Sequence, residues 1–345
     1  MKGSLAFIYG GRGLEREVSL LGADFLLPII EKCGYGCIPV YITEDGRWTV
    51  LRHGNEFLRP DKYEGGESAG LINLGGRGGL CLGGECIVIN CAFPLLHGDF
   101  GEDGSVQGAL ETASIPYVGE GILNSVLCLD KAACRALGDR LSLPGAKWIS
   151  PPLGISPDGA ADLAGSSLCY PMFIKPRSLG SSIGACAALS REELISAYKG
   201  ASDNQRRRVI IEEQVNIACE LEIGVIHSKG KYIFTKIGKI TNGRGFYSYH
   251  DKYSTDSPAS VESVCDIDPE IEGRIVEYAR SLALALDLRS IARMDFFLDK
   301  RGEIYFNEIN TMPGFTASSL FPRLFSDIGI SPSELVEILI SEAMA

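Results

Sequence analysis

The chain opens on a short apolar run, Leu5-Ala-Phe-Ile-Tyr9, cut off by Gly10 and Gly11, and from Ser19 onward it reads as a helix. Strand, glycine loop and helix in that order begin an α/β unit. Gly36–Ile42 is predicted as a second strand ending in the turn residues Glu44-Asp-Gly-Arg47. Residues 86–90 are predicted as a buried strand feeding a loop over 93–104, with a helix following over 104–112. The glycine-rich stretch 55–84 has weak periodicity and is expected to hold surface loops and a hairpin.

Near residues 119–125 the pattern changes, which puts a domain boundary at about residue 120. A helix is predicted from about Asp130, and Leu143-Pro144 separates it from an extended Ala146-Lys-Trp-Ile149. Strands at 173–175, 183–189 and 209–212 follow, with a serine-glycine loop between the first two and a helix over 191–198. The remainder reads as strands at 222–226 and 232–236, a polar loop over 241–258, a helix over Pro269–Leu286, a hairpin, and a last helix from about Ser331. There is no internal repeat.

Composition narrows the classes. At 45% hydrophobic and 22% charged, the 345 residues can bury cores in two or three domains. With 33 basic against 44 acidic residues the net charge is −11, which excludes the broad basic face of a nucleic-acid binder but leaves room for a small polyanion held by a few lysines. The 11 cysteines are odd in number and scattered, without CxxC pairs or zinc-finger histidines, so they read as thiols in a reducing compartment. No run approaches the roughly 18 apolar residues of a membrane span, and a cytoplasmic protein without membrane or nucleic-acid partners is expected.

Two places could carry chemistry. In the hairpin, pairing 298 with 303 sets 295 opposite 306 and 293 opposite 308, which puts Arg293, Asp295, Glu308 and Asn310 on one face. Two carboxylates and an amide oxygen suit a hard cation, with a guanidinium for developing negative charge; the same pattern also describes a solvated sheet face with an ion pair. A Pro-Gly turn in Asn310-Thr-Met-Pro-Gly-Phe-Thr316 follows, a place where backbone N–H groups can face an anion. The second place is Lys175-Pro-Arg-Ser-Leu-Gly-Ser-Ser-Ile-Gly184, readable as a phosphate flap, a plain surface hairpin, or, through Gly180-Ser-Ser-Ile-Gly184, a G-x-S-x-G nucleophile elbow. No Walker A ending occurs, and Gly10-Gly-Arg-Gly13 fails the last glycine of G-x-G-x-x-G. Glu15 and His97 each follow a predicted strand at one sheet edge, where open α/β sheets bind ligands.

These segments together resemble the D-alanine:D-alanine ligases of the ATP-grasp superfamily over nearly the whole chain. The matching stretches are Gly10-Gly-Arg-Gly-Leu-Glu-Arg-Glu-Val-Ser19, Leu96-His-Gly-Asp-Phe-Gly-Glu-Asp-Gly-Ser-Val-Gln-Gly108, Asp130-Lys131, the lysine and serine-glycine loop of 174–184, Lys252-Tyr253, Arg293-Met-Asp295 and Asn307-Glu-Ile-Asn-Thr-Met-Pro-Gly-Phe-Thr316. The resemblance implies an α/β and α+β chain: an ATP-grasp fold preceded by a Rossmann-like N-terminal domain. It would be divided into 1–120 for substrate binding, 121–215 as the central subdomain, and 216–345 with the metal site and a mobile loop. It also implies ATP-dependent joining of two D-alanines through an acyl phosphate, for peptidoglycan precursors, with a homodimer as the assembly. A D-Ala-D-lactate or D-Ala-D-Ser ligase is the alternative.

Carried over residue by residue, Lys131, Lys175 and Lys252 would hold ATP phosphates. Glu212, Glu213 and Val215 would form the hinge strand receiving adenine, with Glu220 on the ribose. Asp295, Glu308 and Asn310 would hold two Mg²⁺ or Mn²⁺ ions. Arg293 and the Gly314 N–H would steady the phosphoryl group and the oxyanion. Glu15 would take the first ammonium and join Ser181 and Tyr253 in a hydrogen-bonded group, with His97 beside the first D-alanine and Ser319 and Leu320 facing the second. His250, two residues before Lys252, bears on the acceptor, because resistance-type ligases use a loop histidine.

Overall fold

Apolar runs punctuated by glycine and proline build three sheets in this computed structural model, which describes residues 2–241, 260–263 and 265–345. Lys252, Tyr253 and His250 lie outside the described residues. The first sheet comprises β1 (Ser4–Gly10), β2 (Gly36–Ile42), β3 (Trp48–His53), β4 (Glu56–Leu58), β5 (Glu67–Asn73), β6 (Gly78–Leu82), β7 (Glu85–Val88) and β8 (Cys91–Leu95). Its order is β7-β6-β5-β3-β2-β1-β8, with β4 beside β3. β1 runs parallel to both β2 and β8. The chain leaves β1 toward one side and returns as β8 on the other, so the carboxyl ends of these two strands flank the crevice where such sheets take ligands.

The buried strand differs from expectation. Residues 86–90 do not form it: β7 is a largely exposed edge strand, and the fully buried one is Cys91-Ala-Phe-Pro-Leu95. Pro94 argues against a central strand, but β8 closes the sheet's edge, where proline is tolerated.

The second sheet is antiparallel: β9 (Trp148–Ile149), β10 (Met172–Pro176), β11 (Cys186–Ala188) and β12 (Val209–Glu213), in the order β11-β10-β12-β9. Helices Pro157–Gly165 and Arg191–Ala201 cover it and bury Ala160, Ala164, Leu194 and Tyr198 against Met172, Ile174 and Ile211. The third comprises β13 (Ile217–Ser228), β14 (Lys231–Thr241), β15 (Ser260–Glu262), β16 (Ile291–Asp299) and β17 (Ile304–Asn310), in the order β15-β14-β13-β16-β17. Helix Pro269–Leu286 spans the predicted bounds; Asp268 caps it by accepting from the Glu270 N–H, and Pro269 is its first residue. Its apolar stripe, Ile275, Ala279, Leu282, Ala283 and Leu286, fills one side of the third sheet and leaves the other side for chemistry.

The C-terminal segments join the first sheet to the third. Phe315, Phe321 and Phe325 share a core with Phe7 and Phe93, and Leu335, Val336 and Leu339 of the last helix join the same cluster as Leu26 and Ile30. That packing fixes the loop after β17 against the carboxyl ends of β1 and β8. The unpredicted helix Ile122–Leu129 precedes helix Lys131–Arg140, whose N-cap Asp130 accepts from the Ala133 N–H.

Candidate functional site

Side-chain alternation along three neighbouring strands sets the floor of the site. Glu222 pairs with Asp295 and Asp295 with Glu308, while Arg293 pairs with Asn310, so all five share one face of the third sheet. The register differs from the expected one. Leu298 pairs with Ile304 rather than 303, and a bulge after Asp295 shifts the count so that Asp295 faces Glu308 rather than 306. The bulge inserts a residue opposite one, which a simple count from the turn misses, yet the face itself is the one expected.

Two clefts open on this floor. One, of about 950 Å³ between the second and third sheets, is lined by Lys131, Lys175, Glu212, Glu213, Val215 and Glu220, together with Asp295 and Glu308. The other, of about 1080 Å³ against the first sheet, is lined by Glu15, His97, Ser181, Arg293, Asn310 and the loop residues Gly314, Ser319 and Leu320. Every described candidate residue therefore lines one cleft or the other. Lys131, Gly180 and Glu308 line both.

In the first cleft the lysines are held by acids. The Lys175 Nζ lies 2.6 Å from Glu212 Oε2 and 3.3 Å from Asn307 Oδ1, and Arg135 Nε lies 3.4 Å from the other Glu212 oxygen. Burial acts to raise the Glu212 carboxyl, but Lys175 and Arg135 outweigh it and hold it below the ordinary carboxylate range. Lys131 Nζ donates to the Leu179 carbonyl at 2.8 Å and pairs with Glu308 at 3.1 Å. Burial works against its charge, and Glu308 more than restores it. Arg135 was not anticipated; it sits four residues after Lys131 on one helix, the spacing that puts both on one face.

The second cleft is closed over by the serine-glycine loop. The Glu15 carboxylate accepts from the Gly180 N–H at 3.3 Å and from the Ser181 hydroxyl. A Cβ at Gly98 or Gly180 would meet the Glu15 carboxylate where it now sits, so either side chain would push that carboxylate aside, and Gly98 also has left-handed backbone at φ 63. Ser181 and Ser182 both have left-handed backbone, at φ 50 and 60. The helix that a nucleophile elbow needs after its serine does not form: a turn through Gly184 leads into β11 instead. His97 is buried, and desolvation holds it below its ordinary pKa, so it is neutral at pH 7. With its Nδ1 3.1 Å from the Met312 carbonyl, the ring donates there and leaves Nε2 as an acceptor without a hydrogen-bond partner among the described residues.

Arg293 is held by two acids through Nε and Nη2. Its Nε and Nη2 each donate to an Asp295 oxygen at 2.7 Å, and Nε lies 3.3 Å from Glu222 Oε2. Asn310 Nδ2 donates to Asp295 at 2.9 Å. Leu320 packs with Ile240, Val261 and Leu324 to give the cleft an apolar wall. Among the described residues no three His, Cys, Asp or Glu are arranged to hold a metal ion by themselves. Two carboxylates and an amide are too few to enclose a metal alone, but they fit Mg²⁺, which keeps waters and takes its other ligands from substrate phosphates.

Glu102 was also missed, although it stands inside a motif singled out for His97. It accepts from the Gly98 N–H at 3.0 Å and the Met312 N–H at 3.2 Å. Burial first, and then the charge of Glu15, push its carboxyl up to about 8. The folded protein thus keeps a proton that the unfolded chain releases near its ordinary value of 4.5. Stability from this group is complete below that value and is lost as pH rises through the folded one. Glu102→Gln is therefore expected to gain on the wild type by roughly 2–4 kcal/mol between about pH 5 and about pH 9 in metal-free urea melts. A difference independent of pH would place the proton elsewhere.

The family model described as D-ala D-ala ligase N-terminus matches residues 4–120, and that described as D-ala D-ala ligase C-terminus matches residues 158–341. The chain belongs to the D-alanine–D-alanine ligase family. The D-alanine–D-alanine ligase of Deinococcus radiodurans is 34% identical over 348 residues, covering 100% of this chain and 99% of the relative. That of Geobacillus thermodenitrificans is 35% identical over 353 residues, covering 100% and 96%. Among solved structures, D-alanyl-alanine synthetase A from Vibrio cholerae is similar with a TM-score of 0.85 at 28% identity, over 99% of this chain and 98% of that one. The VanG D-Ala:D-Ser ligase from Enterococcus faecalis has a TM-score of 0.86 at 31% identity, over 99% and 100%. The protein is thus an ATP-dependent ligase with an ATP-grasp fold behind a Rossmann-like N-terminal domain. No helix among its described residues is long and apolar enough to cross a membrane.

Proposed function

We infer that this ligase joins two D-alanines in the cytoplasm, as a homodimer, with ATP in the cleft between the second and third sheets and both amino acids in the cleft against the first. The meeting of the two clefts at Lys131, Gly180 and Glu308 carries the reading, because a carboxylate in one can reach a phosphate in the other. The division into 1–120, 121–215 and 216–345 follows the three sheets in this reading.

A carboxylate is a poor electrophile, so the first D-alanine attacks the γ-phosphate and ADP leaves; the amine of the second then attacks the acyl phosphate and releases phosphate. Glu15 binds the first ammonium, with the His97 Nε2 as a second acceptor. Lys131 and Lys175 hold the phosphates, Glu212, Glu213 and Val215 receive the adenine, and Glu220 takes the ribose. Arg293 and the Gly314 N–H face the charge that develops on oxygen. Asp295, Glu308 and Asn310 would hold two Mg²⁺ or Mn²⁺ ions, which offset phosphate charge when bound. By the family resemblance, Lys252 would bind a phosphate and Tyr253 would hydrogen-bond with Glu15 and Ser181. Positioning and charge are the main demands, and no covalent nucleophile is required.

A second reading, D-serine or D-lactate as acceptor, draws support from the likeness to the VanG ligase. The apolar wall of Ile240, Val261 and Leu320 favours a methyl over a hydroxymethyl side chain, because a hydroxyl placed there loses its hydrogen bonds to water. In a competition assay at pH 7 with D-alanine, D-serine and D-lactate, D-Ala-D-Ala is the expected main product, formed only with ATP. Mainly mixed dipeptide or depsipeptide would assign the acceptor differently, and product without ATP would remove the acyl phosphate.

A further inference from the structure

Far from both clefts, the β6–β7 hairpin brings two cysteines together. Cys81 and Cys86 are directly paired across the antiparallel strands, and their sulfurs lie 3.5 Å apart. The turn between the strands is Gly83-Gly84, with φ of 51 and 91, flanked by the pair Leu82 and Glu85. In a two-residue hairpin the flanking pair exchanges both backbone hydrogen bonds, so the next pair, Cys81 with Cys86, is of the non-hydrogen-bonded kind, with Cα atoms about 4.5 Å apart. Disulfides take Cα separations of about 4.4–6.8 Å, so the backbone already satisfies that requirement.

The pair is also accessible. Cys86 is exposed and Cys81 half-buried. On the other side of Cys81 the neighbouring strand presents Gly70, and a Cβ built there meets nothing within 4 Å. No side chain of that residue shields the sulfurs. Cys169 is also exposed, and of the remaining thiols Cys33, Cys91, Cys128, Cys134 and Cys219 are buried.

We propose that Cys81 and Cys86 form a reversible cross-strand disulfide on exposure to low-molecular-weight disulfides. The Cys86 thiolate attacks one sulfur of the small disulfide, forming a mixed disulfide and expelling one small thiolate. The Cys81 thiolate then attacks the Cys86 sulfur and expels the second, which takes up a proton. The protein loses two protons and two electrons, which turn one small disulfide into two thiols. The hydrogen bond to Cys81, followed by desolvation, holds the Cys86 thiol above its ordinary pKa, so the first attack should quicken as pH rises. The product pins the sheet's edge hairpin in its register, and the thiol pair returns on reduction.

The test is incubation of the full-length protein with oxidised glutathione at about pH 8, followed by alkylation of free thiols and peptide mass analysis. The expected result is a Cys81–Cys86 cross-link lighter by two hydrogens, with both thiols recovered after dithiothreitol. Cys81→Ser should convert the product to a stable glutathione adduct on Cys86, whereas Cys169→Ser should leave the cross-link in place. A glutathione adduct on Cys86 of the wild type with Cys81 still alkylated, or both residues alkylated while Cys169 is modified, would overturn the proposal.

Discussion

Glu308→Gln is expected to lower turnover by about a hundredfold or more at saturating ATP and D-alanine while leaving the fold intact. Glu308 lines both clefts and pairs with Lys131 at 3.1 Å, so in the proposed site its charge would serve the metal and also balance a half-buried lysine. Gln keeps the shape and one oxygen but removes the negative charge, and the two-carboxylate set with Asp295 becomes a single carboxylate with two amides. Hard cations bind such a set far more weakly. Phosphate release across a Mg²⁺ titration measures the effect, and a single cooperative thermal transition, lowered only by the loss of the Lys131 counter-charge, separates it from misfolding. Near-normal release at modest Mg²⁺ would remove Glu308 from the metal site.

Lys175→Met should raise the KM for ATP by about ten- to a hundredfold, the worth of a charge-assisted bond to a phosphate. It should also cost stability, because Glu212 is buried and loses its nearer cation. Removing one partner of a buried pair costs about 3–5 kcal/mol, but Arg135 remains 3.4 Å from the other oxygen, so about 1–3 kcal/mol is the expected loss in denaturant melts. Nucleotide titration by calorimetry reads the first effect separately from the second. An unaltered ATP affinity with lowered stability would make Lys175 a structural counter-charge for Glu212 only.

Much of the scaffold was legible because local chemistry decided it. Helix Pro269–Leu286 announced itself through Asp268, Pro269 and a regular apolar stripe, and the last helix through Ser331, which forms a capping box with Glu334. The buried strand of the first sheet was misplaced because two apolar runs, 86–90 and 91–95, adjoin and local pattern does not choose between them; only tertiary position makes β8 an edge, where Pro94 is tolerated. The face shared by Arg293, Asp295, Glu308 and Asn310 survived a wrong register because the β16–β17 bulge changes which residues pair without changing which side these four occupy. Glu102, Arg135 and Glu222 went unread for another reason. Their importance comes from what surrounds them in space, although the four-residue step from Lys131 to Arg135 and the two-residue step from Glu220 to Glu222 are periodic signals that could have found two of them.

The partition between the clefts consists of two side chains and one glycine: Lys131, Glu308 and Gly180. Gly180 is tied to Glu15 of the first sheet through its N–H, so the partition is complete only while the serine-glycine loop stays docked on the opposite domain. An activated acyl group is as vulnerable to water as to an amine, and docking therefore governs thrift as well as speed. Loosening Gly180 from Glu15 would show first as ATP consumed without dipeptide, so the ratio of ADP to product, more than the rate, gauges how well this seam is sealed.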